Sequence, residues 1–334
     1  MKRILILGIE TSCDETSICV LENGKKILAN IISTQIPVHQ KFGGVVPEIA
    51  SREHLDHIAP VLEEALLEAK IELSEIAAIA VTYGPGLVGA LLVGLSFAKG
   101  LAFALDKPLI GVNHLEGHFY ANYLCHPELK PPFIALIVSG GHTSLLHVAD
   151  FNNFTVLGQT QDDAAGEAFD KVARVLQLGY PGGPKVDTLA QTGTACIPFP
   201  VAKLKGIYDF SFSGLKSAVI NYLHSQQQKN LPINPADVCA SFQTAIVSAL
   251  VEKSLLALTN HNLNRLVLAG GVSANSKLRA ELELALKQID AQLFYPSNIL
   301  CTDNAAMIAC RGYYLYENGI YSDLNLNANP ALRI

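Results

Sequence analysis

Three short strand-like runs, with a polar turn after the first, occur twice in this chain, about 130 residues apart. A duplicated meander of this kind leaves few folds open. In the first copy Ile4–Ile9 is an unbroken apolar run, Thr11–Thr16 a polar turn and Ser17–Leu21 a second run. Glu22-Asn23-Gly24 then reads as a tight turn into a third run, Lys26–Ser33. In the second copy Ile134–Val138, the Gly-rich turn Ser139–Thr143, Ser144–Val148 and Phe154–Gln159 follow in the same order. Continuous apolar runs of this length are strands covered on both faces.

Helical patterns follow each copy. Pro47 opens one that reaches about Lys70, with Ile49, Leu55, Ile58, Leu62 and Leu66 expected on its buried face. A strand Ala77–Thr82, a helix Leu87–Leu105 and a strand Pro108–Val112 come next. After the second copy the spacing predicts helices over Ala164–Gln177, Gly214–His224 and Pro235–Leu258. A strand Arg265–Ala269, a helix Ala274–Ile289 and a last helix from Asp303 complete the chain. This α/β plan resembles the duplicated fold of actin, hexokinase and DnaK-type chaperones. The resemblance implies two lobes, residues 1–112 and 113–334, with a nucleotide cleft between them at the polar turns. It also has the last helix, about 303–318, packing back on the first lobe. A fold by itself names no reaction.

Half of the 334 residues are hydrophobic and 16% are charged, enough apolar material for two cores. The net charge of −6 argues against wholesale nucleic-acid binding by this chain alone, because phosphate contacts need clustered Lys and Arg. A local basic rim, or a partner that supplies one, remains open; Lys203 and Lys205 read as a solvated surface pair. The seven cysteines are scattered with no CxxC pair, which suits reduced thiols rather than disulfides or a thiolate zinc site. The apolar run after Met1-Lys2-Arg3 is too short for a signal peptide. Ile76–Ala98 is uncharged and long enough to span a bilayer, but Gly84-Pro85-Gly86 breaks it into a strand and a helix. A soluble cytoplasmic protein with no membrane role is expected.

Four constellations carry chemistry. In Asn113-His114-Leu115-Glu116-Gly117-His118 the two histidines are one helical turn apart and can share one ion, with Asn113 as N-cap after a strand. This is not the HExxH of zinc peptidases: Glu116 lies at i+2 from His114, about 200° around the helix. Asp303, in Cys301-Thr302-Asp303-Asn304, suits equally a third ligand and a helix N-cap. Two His and one carboxylate with open positions fit Fe(2+) or Zn(2+).

Ser139-Gly140-Gly141-His142-Thr143 can turn its backbone N–H groups inward as an anion nest, or serve only as a tight hairpin. Its counterpart, Glu10-Thr11-Ser12-Cys13-Asp14-Glu15-Thr16, is acidic, and suits a general base or an orienting acceptor. Gly270-Gly271-Val272-Ser273-Ala274-Asn275 is a strand–turn–helix junction that lets a base or ribose approach the backbone. Asp170 and Asp187 are candidate acceptors for ribose hydroxyls, whereas Asp162 and Asp163 fit acids at a helix N-terminus.

Taken together, these segments resemble the tRNA N6-adenosine threonylcarbamoyltransferases, a family also known by the older name O-sialoglycoprotein endopeptidase. The similarity runs from residue 4 to about residue 312. It includes Phe42-Gly43-Gly44-Val45-Val46-Pro47-Glu48, Gly84-Pro85-Gly86-Leu87 and Asp209-Phe210-Ser211-Phe212-Ser213-Gly214-Leu215-Lys216. The resemblance implies His114, His118 and Asp303 as metal ligands, with Fe(2+) ahead of Zn(2+). It implies Ile137, Val138, Ser139, Gly140, Gly141, Asp170, Gly183, Asp187 and Asn275 as the site of an adenine nucleotide, threonylcarbamoyl-AMP or ATP. It further implies tRNA, a related inactive paralogue and a small ATPase as partners. Asp14 or Glu15 is the expected acceptor of the amine proton. A metallopeptidase and a non-catalytic scaffold of the same fold are the competing readings.

Overall fold

The computed structural model describes residues 3–202 and 204–334, so Lys203 of the expected surface pair lies outside the described residues. Its contacts divide the chain into two units. One comprises the residues up to Leu129 together with Pro296–Ile334, and the other Lys130–Tyr295. The boundary expected at 112/113 is therefore displaced. The physical reason is that the histidine-bearing helix packs on the helix Ala305–Glu317 and stays with the first unit.

In the first unit, strands β1 (Leu5–Glu10), β2 (Glu15–Glu22) and β3 (Lys26–Thr34) form the meander. Helix α1 (Pro47–Ala69), strand β4 (Ala78–Gly84), helix α2 (Val88–Leu105), strand β5 (Leu109–Asn113) and helix α3 (His114–Cys125) follow. The sheet order is β3-β2-β1-β4-β5, with β1 antiparallel to β2 and parallel to β4. The apolar stretch that is long enough for a membrane does break at Gly84-Pro85-Gly86. Its helical half, α2, packs on β4 and α1.

The second unit repeats the plan with β6 (Phe133–Val138), β7 (Thr143–Asp150) and β8 (Asn153–Gln159). Helices α4 (Ala165–Val175), α5 (Gly182–Ala190), α6 (Ser213–Gln228) and α7 (Pro235–His261) come next, then β9 (Arg265–Ala269), α8 (Ser276–Lys287) and β10 (Gln292–Phe294). Read from the third strand, the order β8-β7-β6-β9-β10 is that of the first sheet, so the duplication seen in the sequence is a duplication of topology. The short helix α5 and the edge strand β10 are not signalled by apolar periodicity.

Each unit has its own core. In the first, Leu5, Leu7 and Ile9 of β1 meet Ile58, Val61 and Leu62 of α1 and Leu95 of α2. In the second, Ile134, Leu136 and Val138 of β6 meet Phe169, Phe242, Ile246 and Leu278. The expected buried face of α1 needs one correction. Leu55 is 64% exposed, and the position that turns inward is its neighbour His54, at 0%. A polar network on the core side of α1, described below, claims that place.

Candidate functional site

Helix α3 starts where β5 ends, and Asn113 caps it: its Oδ1 accepts from Leu115 N at 2.9 Å. The i, i+4 spacing then sends both imidazoles to one face, with ring centroids 4.6 Å apart. The helix Ala305–Glu317 brings the third group. Gly8 of β1 lets it approach, since a Cβ there would sit 2.8 Å from Ala309 Cβ and collide with the carbonyl of Ala305. Asp303 immediately precedes this helix. It does not cap it: Asn304 does, accepting from Met307 N at 3.2 Å. The N-cap alternative for Asp303 is thereby overturned, and its carboxylate is free for another task.

That carboxylate faces the histidines. Nε2 of His114 and Nε2 of His118 each lie 3.4 Å from Asp303 Oδ1, and one donor atom from each of the three residues falls within 4.8 Å of the others. Both ring nitrogens of His118 are buried with no hydrogen-bond partner among the described residues. A buried imidazole without partners costs free energy unless something else engages it. The donor set, two imidazoles and one carboxylate, fits a divalent transition metal.

Electrostatics treats the two rings differently. Burial pushes the His118 pKa down, outweighing the pull of Asp303, so the ring is neutral, as a ligand must be. Burial raises Asp303, but His114 and His118 together hold it far below the ordinary carboxylate range. His114 is lowered by burial and raised by Asp303 and Glu10, the net being well upward.

Glu10 and Ser12 complete this centre and were missed when the acidic turn was reduced to Asp14 and Glu15. Glu10 is fully buried. Its Oε2 accepts from Thr82 Oγ1 at 2.6 Å and faces His114 Nδ1 at 3.0 Å, while Oε1 accepts from Ser12 N at 2.5 Å. Ser12 Oγ lies 3.1 Å from the same Nδ1. Burial raises Glu10, yet His114 and the Ser12 bond bring it below the usual carboxylate range, so it is an ionised acceptor. The legible signal was a glutamate at the end of an otherwise apolar central strand.

Asp14 lies in the turn and Glu15 opens β2. Burial, then the neighbouring Asp14, then Asp303 push the Glu15 pKa well up, and its Oε1 accepts from Thr34 Oγ1 at 3.2 Å. Burial, then Asp14, push the thiol of Cys13 beside them well up, which favours its protonated form. Glu116 points elsewhere: it pairs with Arg311 at 2.5 Å, so Glu116 is not the base beside the histidines that the peptidase reading needs.

The remaining expected residues belong to the second unit. Ile137 and Val138 are fully buried in β6. Ser139 closes the hairpin, its N–H donating to His142 O at 2.8 Å and its carbonyl accepting from Gly166 N at 3.2 Å. Gly140, Gly141 and Gly183 border open space, with nothing within 4 Å of where a Cβ would stand. Gly270, at φ +88°, packs against the Val138 carbonyl and leaves no room for a side chain. Asp170 Oδ1 accepts from Gly182 N at 2.7 Å. Asp187 accepts from Ser276 Oγ at 2.8 Å and from Gln243 Nε2 at 3.0 Å, and Gln243 Oε1 accepts from Asn275 Nδ2 at 3.1 Å. Gln243 thus ties two expected residues together and was not foreseen. Asp162 is no simple helix-terminal acid, since it accepts from Ser211 Oγ, Phe212 N and both donors of Ser213. Asp163 pairs with Lys171 at 2.8 Å.

The family model of tRNA N6-adenosine threonylcarbamoyltransferase matches residues 26–310. Proteins of that name from Clostridioides difficile (56% identity over 100% of this chain and 99% of theirs) and Moorella thermoacetica (56%, 98% and 96%) are similar throughout. Among solved structures, full-length HypF in its phosphate- and nucleotide-bound form aligns with a TM-score of 0.64 at 14% identity. That alignment covers 96% of this chain and 47% of HypF. Component A of the Acidaminococcus fermentans (R)-2-hydroxyglutaryl-CoA dehydratase aligns at 0.55 and 17% identity, over 93% and 98%. Both carry the duplicated actin/hexokinase-like fold, and at these identities they speak for the fold alone.

Proposed function

This chain belongs to the tRNA N6-adenosine threonylcarbamoyltransferase family, and from that premise we propose how its residues divide the reaction. The enzyme is an acyltransferase acting on tRNA. It moves the threonylcarbamoyl group of threonylcarbamoyl-AMP to the N6 amine of the adenosine beside the anticodon, in tRNAs that read codons beginning with A. The bond from the carbamoyl carbon to the phosphate oxygen breaks, the bond to N6 forms, AMP leaves, and the amine gives up one proton. An aromatic amine is a weak nucleophile, so positioning of the two substrates carries much of the catalysis.

His114, His118 and Asp303 would hold one divalent ion, Fe(2+) ahead of Zn(2+). The observation that carries this assignment is the convergence of both Nε2 atoms on Asp303, with neither buried His118 nitrogen satisfied by a hydrogen bond among the described residues. Such an ion supplies Lewis-acid polarisation of the carbamoyl carbonyl. Glu10 keeps a proton on His114 Nδ1, so Nε2 is the ring nitrogen that would give up its proton and bind the ion beside Asp303. The Asp14–Glu15 pair takes the amine proton; burial and the neighbouring carboxylates raise Glu15, and a carboxylate so raised is a stronger base than an ordinary one.

Gly140 and Gly141 would receive the phosphate of the adenine nucleotide through backbone N–H groups beside open space, and Ser139, whose own N–H closes the hairpin on His142 O, would line it. Ile137 and Val138 set the position of that turn from within β6. Asp170, Gly183, Asp187 and Asn275 would line the nucleoside. With a net charge of −6, tRNA is held largely by surface that partners add. A related inactive paralogue and a small ATPase fill those roles, in the cytoplasm.

The test supplies threonylcarbamoyl-AMP, a tRNA transcript and the partner proteins to the wild type and to His114→Ala. Modified adenosine is expected with the wild type and at background level with the variant. No product from the wild type would overturn the reading.

A further inference from the structure

Behind the acidic turn lies a run of buried polar side chains that the assignments above do not use. His54 is fully buried, and its Nε2 lies 3.0 Å from the carbonyl oxygen of Cys13. A carbonyl only accepts, so Nε2 carries the proton and Nδ1 is the acceptor. Two donors meet that Nδ1: Thr16 Oγ1 at 2.7 Å and Gln35 Nε2 at 3.3 Å. The Gln35 amide cannot be reversed, because its nitrogen also faces the Ala50 carbonyl at 3.3 Å. Its Oε1 therefore accepts from His39 Nε2 at 3.0 Å, and His39 Nδ1 accepts from Val46 N at 3.3 Å. The donors and acceptors form one directed chain from the Val46 amide to the Cys13 carbonyl, with both rings neutral in the Nε2–H tautomer. Burial, which pushes the His54 pKa down, favours the same state.

The inner end of this chain is placed for a task. Cys13 and Thr16 flank Asp14 and Glu15, and His54 holds one by its carbonyl and the other by its hydroxyl. The backbone N–H of Gln35 donates to the Asp14 carbonyl at 2.9 Å. The directions of the peptide units on either side of the carboxyl pair are thus fixed from behind. A core position filled only for stability is served as well by an apolar side chain, since buried polar networks return little net free energy. What such a network does provide is a single geometry. Its outer end also gives a role to the segment Phe42–Glu48, whose Val46 amide starts the chain.

We propose that His54, locked in one tautomer by Gln35 and His39, is a positioning residue that clamps Cys13 and Thr16 and so aims the Asp14–Glu15 pair at the incoming amine. The proposal rests on the reading of that pair as proton acceptor. It is tested by steady-state and single-turnover transfer with the complete enzyme and its partners. His54→Phe is expected to lower kcat about 10- to 100-fold with KM for both substrates little changed. Bound metal should stay at the wild-type level. His54→Gln, which keeps an N–H donor toward the Cys13 carbonyl, should restore most of the rate.

In a background carrying Asp14→Asn and Glu15→Gln, adding His54→Phe should cost less than about twofold, because its effect runs through the missing pair. Full additivity in that cycle, an effect confined to KM, or a wild-type rate for His54→Phe would each overturn the proposal. If the Asp14→Asn, Glu15→Gln protein itself works at the wild-type rate, the proton-acceptor reading falls and this proposal with it. Should His54→Phe fail to fold, His39→Leu, one link further out, is read in the same cycle with a loss of about threefold expected.

Discussion

Glu10 Oε2 stands 3.0 Å from His114 Nδ1, and the other ring nitrogen of His114 stands 3.4 Å from Asp303 Oδ1. The imidazole is therefore held between an outer carboxylate that fixes its proton and an inner one that would share an ion with it. Outer-shell carboxylates of this kind typically change metal affinity about 10- to 100-fold. Glu10→Gln is expected to weaken Zn(2+) or Co(2+) binding within that range, measured by equilibrium titration against a chromogenic chelator. Unchanged affinity would remove Glu10 from the centre.

The position of Asp303 depends on how closely the helix Ala305–Glu317 lies on β1, and Gly8 permits that approach. Gly8→Val would force the helix outward. Overpacking of this sort costs about 1–3 kcal/mol, seen as a lower urea midpoint. Metal affinity should fall in the same protein, because Asp303 moves with the helix it precedes. Loss of stability with metal binding intact would separate the two.

Acid should weaken the fold through His54. Its pKa is held below the ordinary 6.5 by burial, so below that pH the unfolded chain binds more protons than the folded one. Stability then rises with pH across the region below 6.5 and levels off above it. The difference in unfolding free energy between wild type and His54→Gln should shrink as pH is lowered from about 7 to about 5. The other histidines cancel in that difference. A gap that stays constant over this range would mean His54 is not buried neutral.

Glu116 is a test between reactions. It is largely buried against Arg311, whose guanidinium also bonds Tyr120 Oη at 2.9 Å. Arg311→Met leaves a carboxylate uncompensated and should cost about 3–5 kcal/mol. The pair Glu116→Leu, Arg311→Met should recover most of this in urea unfolding. Glu116→Gln should transfer threonylcarbamoyl at close to the wild-type rate, whereas a peptidase base would lose nearly all activity.

The duplicated meander, the strand and helix types and the pairing of His114 with His118 followed from the sequence, because periodicity and i, i+4 spacing are local properties. So did the doubt over Asp303: a carboxylate before a helix caps it or does not, and only the presence of Asn304 in the cap position freed it. The inward turn of His54 in place of Leu55 was illegible, since a polar residue is buried only when distant partners satisfy it. Those partners, Cys13, Thr16 and Gln35, come from other elements. Glu10 was in plain view at the end of β1, but its role needed Thr82 and His114 brought to it across the sheet. Residue spacing along the chain set which groups could meet. Long-range packing of strand, helix and turn decided which of them did, and with what proton.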